Sequence, residues 1–320
     1  MGKSRGRTIQ WMVHVIKSNH TIAYFNLKKT RSGMLKVNKV VNDWSQDLPG
    51  GITWYFIGQP KSGKTTQAAS WSKGGTDSVL LIDTDLGADF VDKANVVTCG
   101  SLNPPVRTQM KDGVKVTKNG QEVIEVIPTN ERGFYFRSGP NKGKPMDVYS
   151  LAEIIKDLMT NWDQYPYDTV VIDTIDQVNS WIEDVVKADQ GIANMGEGSW
   201  GADWAAARKK NADIVKRLQD FIKKVGGNLI LCSHSKQTSV QDDKVQLSPN
   251  LPSGLGRTLC AKADVIGYTT LNKEDGSYCI SFEGYDERMV GSRLKPLAQK
   301  LLPFSYEAVI NEIKSYKEEK

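Results

Sequence analysis

The segment Gly58–Thr65, Gly-Gln-Pro-Lys-Ser-Gly-Lys-Thr, has the residue types and spacing of a phosphate-binding loop. Its glycines let the backbone curl so that successive N–H groups point at phosphate oxygens. Lys64 can then reach the β and γ phosphates, and the Thr65 hydroxyl can ligate Mg²⁺. The pattern predicts a site for ATP with Mg²⁺, and the residues expected to contact them are Gly58, Pro60, Lys61, Ser62, Gly63, Lys64, Thr65 and Thr66.

Acidic residues that could serve this loop follow two apolar segments farther along the chain. Asp173 ends the run Tyr-Asp-Thr-Val-Val-Ile-Asp, and we expect it to hold the metal together with Thr65. We expect Asp85 to orient or deprotonate the water that attacks the γ-phosphate. Asp83 is the alternative for this role, and either residue could instead cap the next turn. Asp176 could assist Asp173 or cap the helix that follows.

A histidine ends another apolar segment, Asn-Leu-Ile-Leu-Cys-Ser-His. Ligands of open α/β sheets bind at the carboxyl ends of the strands. A neutral His234 at that edge can hydrogen-bond a γ-phosphate or the attacking water, which makes it a candidate catalytic residue beside Lys64, Asp85 and Asp173. The alternative is a structural histidine. Lys236 could reach a phosphate of its own or a neighbouring subunit, or be a solvated loop cation.

The segments that must position these residues alternate between strand-like and helix-like patterns. Apolar runs of strand length lie at 52–57, 78–82, 96–98, 167–172 and 228–232. Helical patterns lie at about 64–73, 148–162, 175–189, 205–225 and 306–317. This alternation predicts an α/β fold with a mostly parallel sheet flanked by helices. The C-terminal segments 263–271 and 277–283 flank a Glu-Asp-Gly turn, which predicts an antiparallel extension of that sheet.

The distribution of charged residues divides the chain into a basic N-terminal segment and a mildly acidic remainder. Residues 1–42 contain nine Lys or Arg and no acid, whereas the rest contains 33 basic and 37 acidic residues. We therefore predict a basic arm at 1–45, either a nucleic-acid contact or a poorly ordered tail, and one domain at 46–320. Residues 103–147 look like an insertion with a hairpin around Asn119-Gly120, and 237–256 look like a polar loop.

Cysteine usage and hydropathy limit the classes of protein. The four cysteines form no CxxC pair, which argues against a disulfide framework or a zinc site and favours the reducing cytoplasm. No apolar run approaches the ~20 residues of a membrane span. We see no secretory signal.

The order of these motifs resembles the RecA-like ATPase core. The phosphate loop is followed by strands ending Ile-Asp-Thr-Asp, Val-Ile-Asp-Thr and Cys-Ser-His. The segments Leu-Pro-Ser-Gly-Leu-Gly, ending at Gly256, and Arg-Met-Val-Gly-Ser-Arg-Leu-Lys-Pro-Leu-Ala-Gln-Lys, beginning at Arg288, are similar to phage-encoded members of that superfamily. The better-known members of this group are single-strand-annealing recombination proteins. The resemblance covers about residues 48–315.

The resemblance implies roles for particular residues. Asp173 takes the magnesium position, His234 the polar switch position, and Asp85 the catalytic position where RecA has Glu; the shorter side chain puts efficient hydrolysis in doubt. The loops expected to contact single-stranded DNA correspond to about 190–204 and 236–256. Trp200 and Trp204 in the first loop could stack on bases, or anchor the start of a helix.

The leading hypothesis is a phage RecA-like ATPase that binds single-stranded DNA in recombination or annealing and works in the bacterial cytoplasm as a homo-oligomer. In such an oligomer, Arg293 or Lys295 would reach a neighbour's phosphates. Two alternatives stay open. One is a phage replication ATPase or loader with a protein client, and the other is a non-catalytic, nucleotide-dependent assembly module.

Overall fold

The computed structural model describes residues 43–46, 48, 50–239, 245–284 and 288–316. Most of the predicted arm at 1–45 therefore lies outside the described residues. The central sheet contains β1 Thr53–Gly58, β2 Val79–Asp83, β3 Asn95–Ser101, β4 Tyr149–Ser150, β5 Thr169–Asp173, β6 Asn228–Ser239, β7 Val245–Pro249, β8 Val265–Leu271, β9 Tyr278–Ser281, β10 Gly291–Ser292 and β11 Leu301–Pro303. The α-helices are α1 Lys64–Ala68, α2 Leu151–Asn161, α3 Ile175–Gln190, α4 Ala202–Val225, α5 Ser253–Lys262 and α6 Tyr306–Ser315.

Within the described residues, these eleven strands form one sheet in the order β4-β3-β2-β5-β6-β1-β8-β9-β11, with β7 beside β6 and β10 beside β8. Strands β1 to β6 and β8 run parallel. Strands β7, β9, β10 and β11 pair in antiparallel fashion. The predicted α/β fold, with a mostly parallel sheet and an antiparallel C-terminal extension, is confirmed.

The central strands are buried on both faces, which explains their continuous apolar sequences. Every residue of β1, β2 and β5 is buried. Successive residues point to opposite faces, so Tyr55 and Ile57 join a core cluster with residues of α2 to α5. Trp54 and Phe56 join a second cluster with residues of α1 and α6. Helices therefore cover both faces of the sheet, and a binding site can form at the ends of its strands.

The helix after the phosphate loop is shorter than predicted. The pattern suggested a helix to Lys73, but α1 ends at Ala68. Trp71 is fully buried, and its ring centroid lies 5.3 Å from that of Trp54 and 4.7 Å from that of Phe56. Edge-on aromatic packing of this kind stabilises a core, and the chain leaves the helical path to insert Trp71.

The predicted polar loop at 237–256 is partly regular structure. Strand β6 continues to Ser239 and pairs with β7, and α5 begins at Ser253. The outer half of β6 is polar, and among the described residues it pairs there with β7 alone. Glycines and a proline made α5 look like a loop, although Leu255 and Leu259 of this helix are buried in the core.

Within the insertion, residues 106–126 form a branched β-arm. Its stem pairs Val106–Thr108 with Ile124–Val126, and two short hairpins turn at 112–113 and 119–120. The predicted Asn119-Gly120 turn is confirmed, and a second hairpin precedes the one that was predicted. The Ile127 N–H donates to the Pro105 carbonyl at 2.9 Å, which brings the two ends of the arm together.

All four cysteines are free thiols. No cluster of three or more potential metal-binding His, Cys, Asp or Glu side chains occurs in the part of the chain that the structure describes. Among the same residues, no helix has both the length and the apolar character needed to cross a membrane.

Candidate nucleotide-binding site

The loop Gly58–Thr65 connects the end of β1 to the start of α1, which is the setting that a phosphate loop requires. Lys61 and Gly63 have positive φ values of 63° and 82°, so the backbone makes the curl expected from the glycines. Gly63 is the residue before α1 and has no capping side chain, which leaves the helix N-terminus open toward the cleft. The loop itself is held by Ser62, whose hydroxyl lies 2.6 Å from the Thr269 hydroxyl.

The Lys64 ammonium lies inside the curl. Its Nζ donates to the Gly58 carbonyl at 3.0 Å and to the Gln59 carbonyl at 2.8 Å, and the side chain is 5% exposed. Burial lowers the pKa of Lys64, and the negative charges of Asp173, Asp176 and Asp85 oppose this effect. Lys64 therefore points back into its own loop, where incoming phosphate oxygens can exchange for carbonyl oxygens.

Asp173 lies at the end of β5, beside the first turn of α1. Burial raises its pKa to about 6, while a hydrogen bond from Thr65 and the charge of Lys64 lower it. A buried carboxylate next to a hydroxyl is a set of oxygen donors that suits Mg²⁺, and a bound cation would offset the burial of the negative charge. Thr65 and Asp173 therefore fit the metal role predicted for them.

Asp83 and Asp85, the two acids at the end of β2, have different surroundings. Asp83 accepts the N–H groups of Gly87 and Ala88 at 3.1 and 3.0 Å, so it caps the following turn. Both acids line the cleft, but Asp83 is only 5% exposed and both of its oxygens accept backbone N–H groups, whereas Asp85 accepts the Thr174 hydroxyl at 3.1 Å. Withdrawal from bulk water raises the pKa of Asp85, against the effect of the Thr174 hydrogen bond. Of the two candidates, Asp85 is the one open to a substrate.

His234 and Asp176 meet at the same edge of the sheet. His234 is in register with Gly58 on the neighbouring strand β1, and its Nδ1 lies 3.0 Å from an Asp176 oxygen. This hydrogen bond raises the pKa of His234, whereas burial lowers it. Thr174, not Asp176, caps α3, because its side chain accepts the Gln177 N–H at 3.3 Å. Asp176 is thus neither the helix cap nor, by its contacts, a partner of Asp173.

These residues surround one cleft of about 540 Å³. The loop, Asp85, Asp173 and His234 line it together because β2, β5, β6 and β1 are neighbours in the sheet. Sequence reasoning missed two aromatic residues of the lining, Phe90 and Tyr278. The Tyr278 ring lies so close to Gly63 that a Cβ there would approach it to 2.7 Å. No local signal could have indicated this contact, since the two residues are far apart in the chain.

Comparison with known proteins agrees with this geometry. A protein-family model described as an AAA domain matches residues 51–296, more than half of the chain. The chain belongs to this AAA domain family. No curated protein matches it significantly. The AAA domain is a nucleotide-binding ATPase domain of the phosphate-loop type, and its match contains every residue that lines the cleft.

The two tryptophans predicted to stack on bases have different surroundings in the AAA domain. Trp200 is fully exposed and has a positive φ of 54°. Trp204 is half-buried and lines a pocket of about 270 Å³ with Arg208. The loop before α4 is organised by the buried Asp203 carboxylate, which accepts the N–H groups of Gly196 and Trp204.

The cations predicted to reach phosphates are engaged elsewhere in the AAA domain. Lys236 donates to the Leu251 carbonyl at 2.5 Å. Arg293 pairs with Asp264 at 2.8 Å, at the amino end of β8 and therefore at the sheet edge opposite the phosphate loop. The Lys295 ammonium lies 5.8 Å from the centre of the Tyr316 ring.

Proposed function

We propose that this protein is a Mg²⁺-dependent ATPase that binds single-stranded DNA and acts in phage recombination or annealing. ATPase activity is supported by one observation: the phosphate loop, Asp173 and Asp85 all line the same cleft. Thr65 and Asp173 would hold Mg²⁺, which supplies charge neutralisation at the β and γ phosphates. Asp85 would orient the attacking water, and Lys64 would stabilise negative charge on the phosphates.

The exposed loop before α4 supports the DNA half. Trp200 presents its whole indole to solvent on a loop whose backbone is fixed by buried Asp203. An exposed aromatic ring on an ordered loop can stack on a base of any sequence, and each such contact contributes about 1–3 kcal/mol. By the motif order described above, this loop corresponds to the first DNA-contacting loop of the RecA-like proteins.

One feature favours a protein client as a second candidate function. The β-arm exposes apolar side chains, and Val106, Ile124 and Val126 are each at least half exposed. Val106 and Val126 are direct cross-strand neighbours, so they form a continuous apolar surface. An ATPase that loads or remodels a phage replication protein would use such a surface.

The experiment is phosphate release from Mg-ATP, measured with and without single-stranded DNA at a stated salt concentration. We expect DNA to stimulate the wild type, and Lys64→Ala to lose about 100-fold or more of the activity. Trp200→Ala should keep the DNA-free rate and weaken DNA affinity by about tenfold. Tyr135→Ala, which removes an exposed aromatic from the insertion, is the matched control and should bind DNA normally.

The outcomes separate the candidates. Stimulation by DNA that depends on Trp200 supports the leading proposal. DNA-independent turnover with no strand binding at low salt would reject its DNA half and favour a protein client. Normal ATP binding by Lys64→Ala would reject the nucleotide site itself.

A further inference from the structure

The middle of β6 is held to α3 by one carboxylate. Asp176 Oδ2 accepts the His234 backbone N–H at 2.7 Å and lies 3.0 Å from His234 Nδ1. The other oxygen accepts the Ser233 hydroxyl. The Asp176 side chain is 12% exposed, whereas the His234 side chain is 33% exposed and lines the nucleotide cleft.

We propose that Asp176 is a positioning residue for nucleotide recognition, which orients the His234 imidazole and holds a proton on Nδ1, so that the protonated ring donates from Nε2 to the terminal phosphate of the nucleotide. This inference rests on the proposed nucleotide site. A carboxylate can only accept hydrogen bonds, so Nδ1 of His234 must carry its proton in this contact. Nε2 is then the ring nitrogen that remains for a ligand.

The charges around the imidazole agree with such a role. The ring is hydrogen-bonded to Asp176 and is influenced by the charges of Lys64 and Asp85, and the three residues come from different segments around the cleft. The Asp176 hydrogen bond and the Asp85 charge favour the protonated ring, whereas the Lys64 charge and burial disfavour it. A terminal phosphate would bring further negative charge, so its arrival favours a ring that donates from Nε2.

The contact predicts selectivity between nucleotides. ATP has a terminal phosphate at the γ position and ADP does not, so loss of the His234 contact should weaken ATP binding more than ADP binding. We expect Asp176→Asn to lower the preference for ATP over ADP by about 10- to 100-fold, which corresponds to one hydrogen bond to a charged group. ADP affinity should stay within about twofold, a factor smaller than the effect of one such bond.

A double-mutant cycle distinguishes positioning from a structural role. His234→Gln should reduce the ATP preference as Asp176→Asn does, and the double variant should be no worse than either single variant. If Asp176 only anchored the strand, its substitution would act additively in the His234→Gln background. Asp184→Asn removes an exposed carboxylate from the same helix and should leave the nucleotide preference unchanged.

Nuclear magnetic resonance of the imidazole rings gives a readout that does not depend on activity. The chain has three histidines, so the His234→Gln spectrum assigns the His234 signals. We expect the wild type to show His234 protonated at Nδ1, with a pKa above the ordinary value of about 6.5, and Asp176→Asn to lower that pKa.

Three results would show that Asp176 does not position His234 for the nucleotide, or that the nucleotide site itself is absent. A wild-type His234 protonated only at Nε2 overturns the proposal, whether or not the Asp176 variant folds. An unchanged ATP preference and an unchanged His234 titration in Asp176→Asn also overturn it while leaving the nucleotide site intact. Failure of the wild type to bind either nucleotide is a different outcome, because it removes the proposed function on which the inference rests.

Discussion

At the scale of single residues, the buried carboxylate of Asp173 lowers the stability of the fold. Its side chain is 6% exposed, and burial raises its pKa to about 6. The ordinary value is 3.8, so the folded state holds the carboxyl proton more tightly than the unfolded state does. The charged form therefore destabilises the fold fully above pH 6, and this penalty disappears as the pH falls below about 4.

Asp173→Asn should consequently stabilise the metal-free protein at neutral pH. A rise of about two pKa units corresponds to about 3 kcal/mol, and the amide keeps an oxygen for the Thr65 hydrogen bond. The measurement is denaturant unfolding in a chelator at pH 7.5 and pH 5. The stabilisation should be smaller at pH 5, and Asp163→Asn, at an exposed carboxylate, should show none. A less stable Asn variant at pH 7.5 would mean that the environment favours the charge.

The residues of the site differ in how far the sequence could assign them. The residues of the phosphate loop are contiguous, so the sequence of this one segment is enough to predict the roles of Lys64 and Thr65. The choice between Asp83 and Asp85 was open because both follow the same strand. Only the fold shows that Asp83 accepts two backbone N–H groups of the next turn, which makes Asp85 the better candidate of the two acids that line the cleft.

At the scale of elements, helix α2 is joined to the insertion by an ion pair. Ser150 and Glu153 form a capping box at the start of the helix. Glu153 also binds Arg132 of the insertion with two contacts, at 2.7 and 2.9 Å, and the Arg132 side chain is only 4% exposed. The Arg132 hydrogen bonds lower the pKa of Glu153 to about 2.

Glu153→Gln should destabilise the protein by about 2 kcal/mol, since it leaves a buried guanidinium without its counter-charge. The folded-state pKa lies below the ordinary 4.5, so the stabilisation is present above pH 4.5 and is lost as the pH falls through about 2. Denaturant unfolding at pH 7 measures it. Glu131→Gln, from an exposed pair with Arg107, is the control and should cost less than about 1 kcal/mol. Equal effects of the two substitutions would contradict this account.

The elements that sequence patterns missed have a common cause. Strand β6 was predicted to end at Cys232 because the following residues are polar, yet it continues to Ser239 through its pairing with β7. Helix α1 was predicted to be longer because the burial of Trp71 depends on aromatic residues that are distant in sequence, Trp54 and Phe304. In both cases a tertiary contact outweighed the local pattern.

At the scale of the whole molecule, the β-arm is a self-contained addition to the ATPase core. In the part of the chain that the structure describes, the short strands within residues 106–126 pair only with one another. The hydrogen bond between Ile127 and Pro105 closes the base of the arm. The side chains along it are mostly exposed. The arm therefore contributes little to the stability of the core.

Replacement of residues 106–126 by a short Gly-Asn turn should leave the thermal midpoint within a few degrees and keep ATP affinity. The physical reason is that the ends are already adjacent and few buried apolar groups are removed. Thermal unfolding and nucleotide titration provide the measurements, with Val106→Ser/Val126→Ser as a milder companion variant. A collapse of stability in the deletion, with normal behaviour of the double variant, would show that the arm is part of the core.

The sequence by itself determined the phosphate loop, the parallel α/β sheet and the position of Asp173 at a strand end, because each depends on a contiguous segment or a local period. Only the tertiary structure decided which side chains share the cleft. The pairing of His234 with Asp176 spans 58 residues, and the packing of Tyr278 on Gly63 spans far more. Both follow from the strand order, which depends on how buried faces pack together and has no local signature in the chain.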